Sequence, residues 1–304
     1  MSVSLPRPPI PAPPGYGWAR DALRRRIATA VRDRVAGKDR QQAEDRIWRS
    51  PGQRWFGPVD PIWRLHADTS MFVGGIRALL LQSLHPLAMA GVAGHSGFKG
   101  DPWGRLQRTS TFLATTTYGT AADAERLLGR IRRVHETVSG TAPDGRAYAA
   151  SDPHLLAWVH VAEADSFLST HQVFGATPLT PDEADTYVAQ LGTVAARLGV
   201  VDPPRTVAEL EGALTAYRPE LSLTEAAIEA RDFLLWEPPL PLAARGPYAV
   251  LAGGAVATLQ PWARDLLGLP SVPPVDSVAR AAARAATATM RWAMTHPSET
   301  ASVG

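Results

Sequence analysis

The chain has 304 residues, 45% of them hydrophobic, and its formal net charge is only +2 at pH 7. A chain of this length can bury a large core, as one domain or as two. The positive excess is small and spread along the sequence, so nucleic acid is not an expected partner. There is no cysteine, which excludes disulfides, iron–sulfur clusters and thiolate nucleophiles. Any metal must be held by His, Asp, Glu or Tyr.

The amino-terminal residues form a compositionally distinct segment. Residues 1–17 are rich in proline and lack the apolar core of a secretory signal, so we expect a disordered tail on a cytoplasmic protein. An arginine-rich helix is predicted over residues 18–36, either against the domain or against an acidic lipid surface. Packing against the domain is the preferred interpretation, and peripheral membrane contact is not indicated.

Residues 18–304 are predicted to form a single all-α domain of about ten helices, because strand signals are almost absent and helix start signals recur. Capping boxes are predicted at Thr180–Glu183, Thr206–Glu209 and Ser222–Glu225. Residues 70–93 are apolar on all sides, which predicts one helix in the centre of the core. Arg77 and His85-Pro86 interrupt this stretch and argue against a membrane span.

The segment after this helix combines glycine, basic residues and a strong helix start. Asp101 is a predicted N-cap, with proline at the first helical position. Four residues of the following helix share one face, since they are spaced i, i+3, i+4 and i+7: Arg105, Arg108, Thr109 and Phe112. This face is either solvated, with the arginine stems on apolar surface, or it binds a carboxylate or phosphate.

Three of the eight histidines lie in strongly apolar helical surroundings: His85, His135 and His160. His135 belongs to an apolar stripe that begins at Ala124, and His160 has Glu163 one turn away. A histidine on such a face is either a hydrogen-bonded core residue or a metal ligand. Two inward arginines nearby favour the second interpretation.

Several cofactor classes are disfavoured by the motifs. A di-iron carboxylate site needs repeated Glu-x-x-His pairs, whereas the chain has only the reversed spacing from His160 to Glu163. The His-Glu-x-x-His motif of zinc hydrolases and the serine elbow of α/β-hydrolases do not occur. Haem remains, because it requires an inward histidine, basic partners for its propionates and a large apolar cavity.

An ordered set of motifs carries a family resemblance over about residues 60–240. The motifs are HP at 85–86, HSGF at 95–98, DPWGRLQRT at 101–109, YGT at 118–120, VHETVSG at 134–140 and YAASDPHLLAWVH at 148–160. As a set they resemble the family that contains latex-clearing rubber oxygenases and the fungal ER-bound MpaB-type oxygenases. The resemblance implies an all-α, globin-like domain that binds haem b and uses dioxygen, in some members to cleave a carbon–carbon double bond in isoprenoid chains.

The resemblance also implies roles for individual residues. His135 matches the iron ligand, while Arg105 and Thr109 match polar residues beside the haem. Arg108 stands where rubber-cleaving members can carry a lysine that closes the distal iron site. Met89 and other apolar residues occupy the region in which rubber oxygenases have a glutamate proposed as a base, so rubber is not the expected substrate.

The sequence therefore predicts a haem-dependent oxygenase that acts with dioxygen on an apolar, olefinic or isoprenoid-like substrate. His135 would bind iron, with His160 as the reserve ligand. Arg105 and Arg108 would neutralise the propionates, and Thr109 would donate a hydrogen bond to dioxygen or an ordered water. Two alternatives stay open: a non-catalytic helical protein that holds haem or a lipid, and a site for another anion.

Overall fold

The computed structural model describes residues 40–95 and 100–294, together with residue 24. This part of the chain contains thirteen α-helices, one short 3-10 helix and one two-stranded sheet. The predicted all-α class is therefore confirmed, with more helices than the ten expected. The predicted tail at 1–17 and nearly all of the predicted helix at 18–36 lie outside the described residues.

The first half of the chain forms α1 (Arg40–Arg49), α2 (Pro61–Ala67), α3 (Ser70–Gln82), α4 (Pro86–His95), α5 (Pro102–Tyr118), α6 (Ala121–Glu136), β1 (Ser139–Thr141) and β2 (Ala147–Ala149). The second half forms α7 (Pro153–Phe174), α8 (Pro181–Leu198), α9 (Val207–Tyr217), the 3-10 helix Arg218–Glu220, α10 (Glu225–Leu235), α11 (Leu242–Thr258), α12 (Pro261–Leu266) and α13 (Pro273–Met294).

Helix α7 is the centre of the fold. It packs against α2, α3, α4, α8, α9, α11 and α13, and most of its side chains are buried. The closest packing is with α3, where a Cβ on Gly74 would lie 2.7 Å from the Phe167 ring. Trp158 of α7 is fully buried in the main apolar cluster. His160 lies on α7 and His85 follows the end of α3, whereas His135 lies on α6.

A buried charge network also joins these helices. Arg77 of α3 is 1% exposed, and its Nη1 lies 2.6 Å from Asp165 Oδ2 on α7. Its other donors bind Ser166 Oγ at 2.8 Å, Gln260 Oε1 at 3.0 Å and the Thr258 carbonyl at 3.2 Å. Such pairing is what allows a guanidinium inside a core.

The prediction of one continuous helix over 70–93 is wrong. The helix ends at Gln82, restarts at Pro86, and the two parts are bent by 106°. Pro86 lacks an amide hydrogen and disfavours helical geometry at His85, which explains the break. No single helix in the described residues is long and apolar enough to cross a membrane; by length and composition only the bent pair α3–α4 meets that test.

The predicted caps have mixed outcomes. Thr180 and Glu183 form the complete reciprocal capping box. Thr206 caps α9 through Glu209 N, while the Glu209 carboxylate accepts from the Arg205 amide instead. The box predicted at Ser222 is wrong, because Thr224 is the N-cap of α10. Both residues suit the role, and they stand two positions apart.

The two short strands form an antiparallel hairpin in which Gly140 pairs with Tyr148. Residues 143–145 form the turn between the strands. Tyr148 is buried, and the hairpin contacts α4. It thereby joins the end of α6, which carries His135, to the helix that follows His85.

Candidate functional site

The start of α5 follows the predicted pattern. The Asp101 side chain accepts from Gly104 N at 2.9 Å, and Pro102 occupies the first turn. The predicted shared face, however, spans the boundary between protein and solvent. Arg105 is half-buried, whereas Arg108 and Thr109 are exposed.

The two arginines therefore have different environments. Burial, and next the charge of Arg108, lower the pKa of Arg105. Arg108 Nη1 lies 3.2 Å from the Asp101 carboxylate, and both side chains are largely exposed. Exposed pairs of this kind are weak. Arg105 is thus the more buried of the two arginines.

The apolar stripe predicted on α6 is confirmed. Ala124 and Leu128 are buried, Ile131 and His135 are half-buried, and the intervening charged residues face solvent. His135 Nδ1 is enclosed and has no hydrogen-bond partner among the described residues. Burial lowers the pKa of His135, so the ring is neutral near pH 7 and has a free lone pair.

His160 presents a similar arrangement on α7. Its side chain is 6% exposed, and Nε2 is enclosed with no hydrogen-bond partner in the part of the chain that the structure describes. Burial lowers its pKa to about 4. An unsatisfied buried nitrogen destabilises a fold by about 1–3 kcal/mol. The enclosed nitrogens of His135 on α6 and His160 on α7 therefore lower the stability of the fold unless a ligand binds them.

Glu163 lies one turn after His160 and forms no hydrogen bond or ion pair within the described residues. Burial raises the pKa of its carboxyl to about 7. Its charge also contributes to the raised pKa of Tyr187, after burial, which places the carboxylate near that phenol. Glu163 is half-buried, and a carboxyl with this pKa can exchange a proton near neutral pH.

Sequence reasoning missed a polar group centred on His66. His66 Nδ1 is 2.8 Å from Thr117 Oγ1, and His66 Nε2 is 3.4 Å from the Tyr187 hydroxyl. Burial, together with His171, lowers the pKa of His66 to about 3. These residues come from α2, α5 and α8, so no local spacing in the sequence could have brought them together.

One side of the central helix pair is open. Leu79 of α3 and Val159 of α7 are 39% and 37% exposed, and a Cβ on Gly75 would meet nothing within 4 Å. Gln82 of α3 donates to the Val159 carbonyl of α7 at 3.2 Å, so the exposed residues of the two helices lie on the same side of the helix pair. We call the exposed surface formed by Gly75, Leu79 and Val159 the α3–α7 cleft.

The comparison with known families decides the assignment. The family model described as "ER-bound oxygenase mpaB/B'/Rubber oxygenase, catalytic domain" matches residues 63–292. The chain belongs to this oxygenase family. The predicted resemblance is thus confirmed, and the match extends beyond residue 240 to include α11–α13. No curated protein and no solved structure gives a significant match.

The oxygenase domain contains every residue proposed for the site, from Arg105 to His160. The fold encloses ring nitrogens of His135 and His160 and half-buries Arg105, but it leaves Arg108 and Thr109 exposed. The roles of these residues as cofactor ligands stay predictions. His85, the third histidine in apolar surroundings, lies instead beside His154 and Glu220.

Proposed function

We propose that this oxygenase is haem b-dependent and acts with dioxygen on an apolar, olefinic or isoprenoid-like substrate. The main support is a pair of enclosed, unpartnered imidazole nitrogens, on His135 and His160, within a domain of an oxygenase family. A neutral imidazole with a free lone pair is the donor that haem iron takes from a protein. The chain has no cysteine to serve instead.

In this proposal His135 holds the iron, and His160 is the reserve ligand or lies beside the haem. The half-buried Arg105 pairs with a propionate, since a desolvated guanidinium favours a carboxylate partner. Arg108 reaches a second propionate only by leaving Asp101, which an exposed ion pair opposes weakly. Thr109 supplies a hydroxyl donor. When bound, haem supplies the iron at which dioxygen is activated for transfer to the substrate.

The substrate class rests on the α3–α7 cleft. Its accessible side chains, Leu79 and Val159, are apolar, and they would bind a hydrocarbon chain by removing both surfaces from water. Glu163 lies on the same face of α7 as Val159, four residues further along. A carboxyl with a pKa of about 7 is suited to move a proton next to this cleft.

The test compares haem content after expression in haem-supplemented cells. The His135→Ala variant should lose most of its haem, while the His160→Ala variant retains part of it. His154→Ala, which removes an exposed imidazole from the first turn of α7, is the matched control and should keep full occupancy. Absorption spectra together with a pyridine haemochrome assay would measure haem per chain.

A colourless wild-type protein, or full haem in both the His135→Ala and the His160→Ala variants, would contradict the proposal. Haem binding without dioxygen consumption on olefinic lipids would support the non-catalytic binding protein instead. Loss of haem in the His160→Ala variant alone would mean that His160, and not His135, is the iron ligand.

A further inference from the structure

Three polar residues from distant parts of the chain meet at the N-terminal end of α7. His85 lies in the sharp link between α3 and α4, His154 lies in the first turn of α7, and Glu220 ends the 3-10 helix. The backbone fixes this arrangement, because Ser222 N donates to the Leu84 carbonyl at 2.9 Å. Neighbouring residues of both loops are thus tied together.

The ligand atoms have spacings suited to a shared ion. His154 Nε2 lies 2.8 Å and His85 Nε2 lies 3.5 Å from Glu220 Oε2, and all three atoms are within 4.8 Å of one another. In a tetrahedral zinc site with bonds of about 2.0–2.2 Å, neighbouring ligand atoms are about 3.3 Å apart. Small side-chain rotations would bring the three atoms to that geometry.

The buried member of this group has an unsatisfied nitrogen. His85 is 1% exposed, and its Nε2 has no partner with hydrogen-bond geometry. Its Nδ1 lies 3.5 Å from Ala88 N, a weak contact that a metal-bound ring would give up.

The exposed member lies between the same carboxylate and a phenol. His154 Nε2 is 2.8 Å from Glu220 Oε2, and His154 Nδ1 is 3.4 Å from the Tyr217 hydroxyl, which donates to the His154 carbonyl at 2.8 Å. A hydrogen bond between His154 and Glu220 leaves the Glu220 oxygen 3.5 Å from His85 Nε2, whereas a metal ion would bind all three atoms at once.

We propose that His85, His154 and Glu220 form a binding site for a divalent transition-metal ion, with Zn²⁺ the ion best matched to two imidazoles and one carboxylate. The site is separate from the proposed haem site. Two of the three ligands, His154 and Glu220, line a surface pocket of about 470 Å³ together with Tyr217, Val200 and Pro203, and three protein ligands would leave one position for water or a small molecule. The bound ion joins the α3–α4 link, α7 and the 3-10 helix, and it therefore stabilises the fold.

Calorimetric titration of the chelator-treated, haem-free 304-residue chain with ZnCl₂ tests the proposal. The wild type should bind one Zn²⁺ per chain and gain thermal stability. The His85→Ala, His154→Ala and Glu220→Gln variants should each bind about 100-fold more weakly, at least as much as is lost when outer-shell partners are removed. His135→Ala is the matched control and should bind Zn²⁺ as the wild type does.

His154 and Glu220 have partly exposed side chains, 52% and 39% accessible, so their variants decide the matter if His85→Ala fails to fold. No saturable Zn²⁺ binding by the wild type would overturn the proposal and leave an ordinary His154–Glu220 ion pair. Unchanged affinity in folded His154→Ala and Glu220→Gln variants would overturn it as well. Haem content is unaffected by His154→Ala in either case, so the two proposals fail separately.

Discussion

Replacing Glu163 with glutamine should remove a pH-dependent loss of stability. Burial raises the pKa of this carboxyl from the ordinary 4.5 to about 7, and no ion pair within the described residues compensates the charged form. The folded protein therefore binds a proton that the unfolded chain releases between these two pH values. Its stability contribution is complete below pH 4.5, is lost as the pH rises towards 7, and stays lost above that.

The size of the effect follows from the two pKa values. A difference between 4.5 and about 7 corresponds to about 3 kcal/mol at about 1.4 kcal/mol per pH unit. About 1 kcal/mol of this is already lost at pH 5 and nearly all of it at pH 8. Glutamine has the same shape and no charge, so the free energy of unfolding of the Glu163→Gln variant lacks this component.

Urea unfolding of the haem-free protein, followed by tryptophan fluorescence at several pH values from 4.5 to 8, measures the effect. Buried histidines act in the opposite direction, since the lowered pKa values of His66 and His160, about 3 and about 4, destabilise the fold as the pH falls below 6.5. These contributions are common to both proteins and cancel in the difference. Glu211→Gln, an exposed change on α9, is the matched control.

The stability of Glu163→Gln relative to wild type should thus rise by about 2 kcal/mol between pH 5 and pH 8. Parallel curves for the two proteins would refute the reasoning, because they would mean that the carboxyl is solvated or paired. A wild type that gains on the variant as the pH rises would mean that a cation binds the carboxylate.

Substitutions at Arg105 probe the haem site, and substitutions at two glycines of α11 probe the packing. Arg105→Met should lower haem affinity in a haem titration more than Arg105→Lys does, because lysine keeps the charge but loses the bidentate geometry. Equal affinity of the methionine variant and the wild type would mean that Arg105 binds no propionate. Gly254→Ala should lower the free energy of unfolding by about 1–3 kcal/mol, since its Cβ would collide with that of Ala283. Gly253→Ala, whose Cβ would lie 3.7 Å from the nearest atom, should be neutral or slightly stabilising; equal losses in both variants would contradict the packing argument.

The features that the sequence predicted correctly are local. The stripe that contains His135 follows a period of 3.6 and is bounded by charged residues, so its buried side could be read directly. The break at Pro86 was missed although its signal is present. Residues on both sides of the break are apolar all round, and such a pattern gives no phase that would reveal where one helix ends and another begins.

The placement of Arg105 and Arg108 shows a second limit of prediction from the sequence. Their spacing correctly places them on adjacent parts of one helix face, but the edge of the buried surface passes between them, and neighbouring helices determine that edge. The group of His85, His154 and Glu220 shows a third limit. Its members are far apart in the chain and share no motif spacing, so only the packing of three elements reveals them.

Helix α7 connects these observations. His154 and His160 lie six residues apart, which turns them by about 240° around the helix axis and separates them by about 9 Å along it. One therefore faces Glu220 at the surface, while the other is enclosed in the core. A single rigid helix can in this way hold a surface metal ligand and an interior histidine with independent chemistry. For this reason the His154→Ala variant separates the two proposals: it removes an imidazole from the same helix without opening the interior around His160.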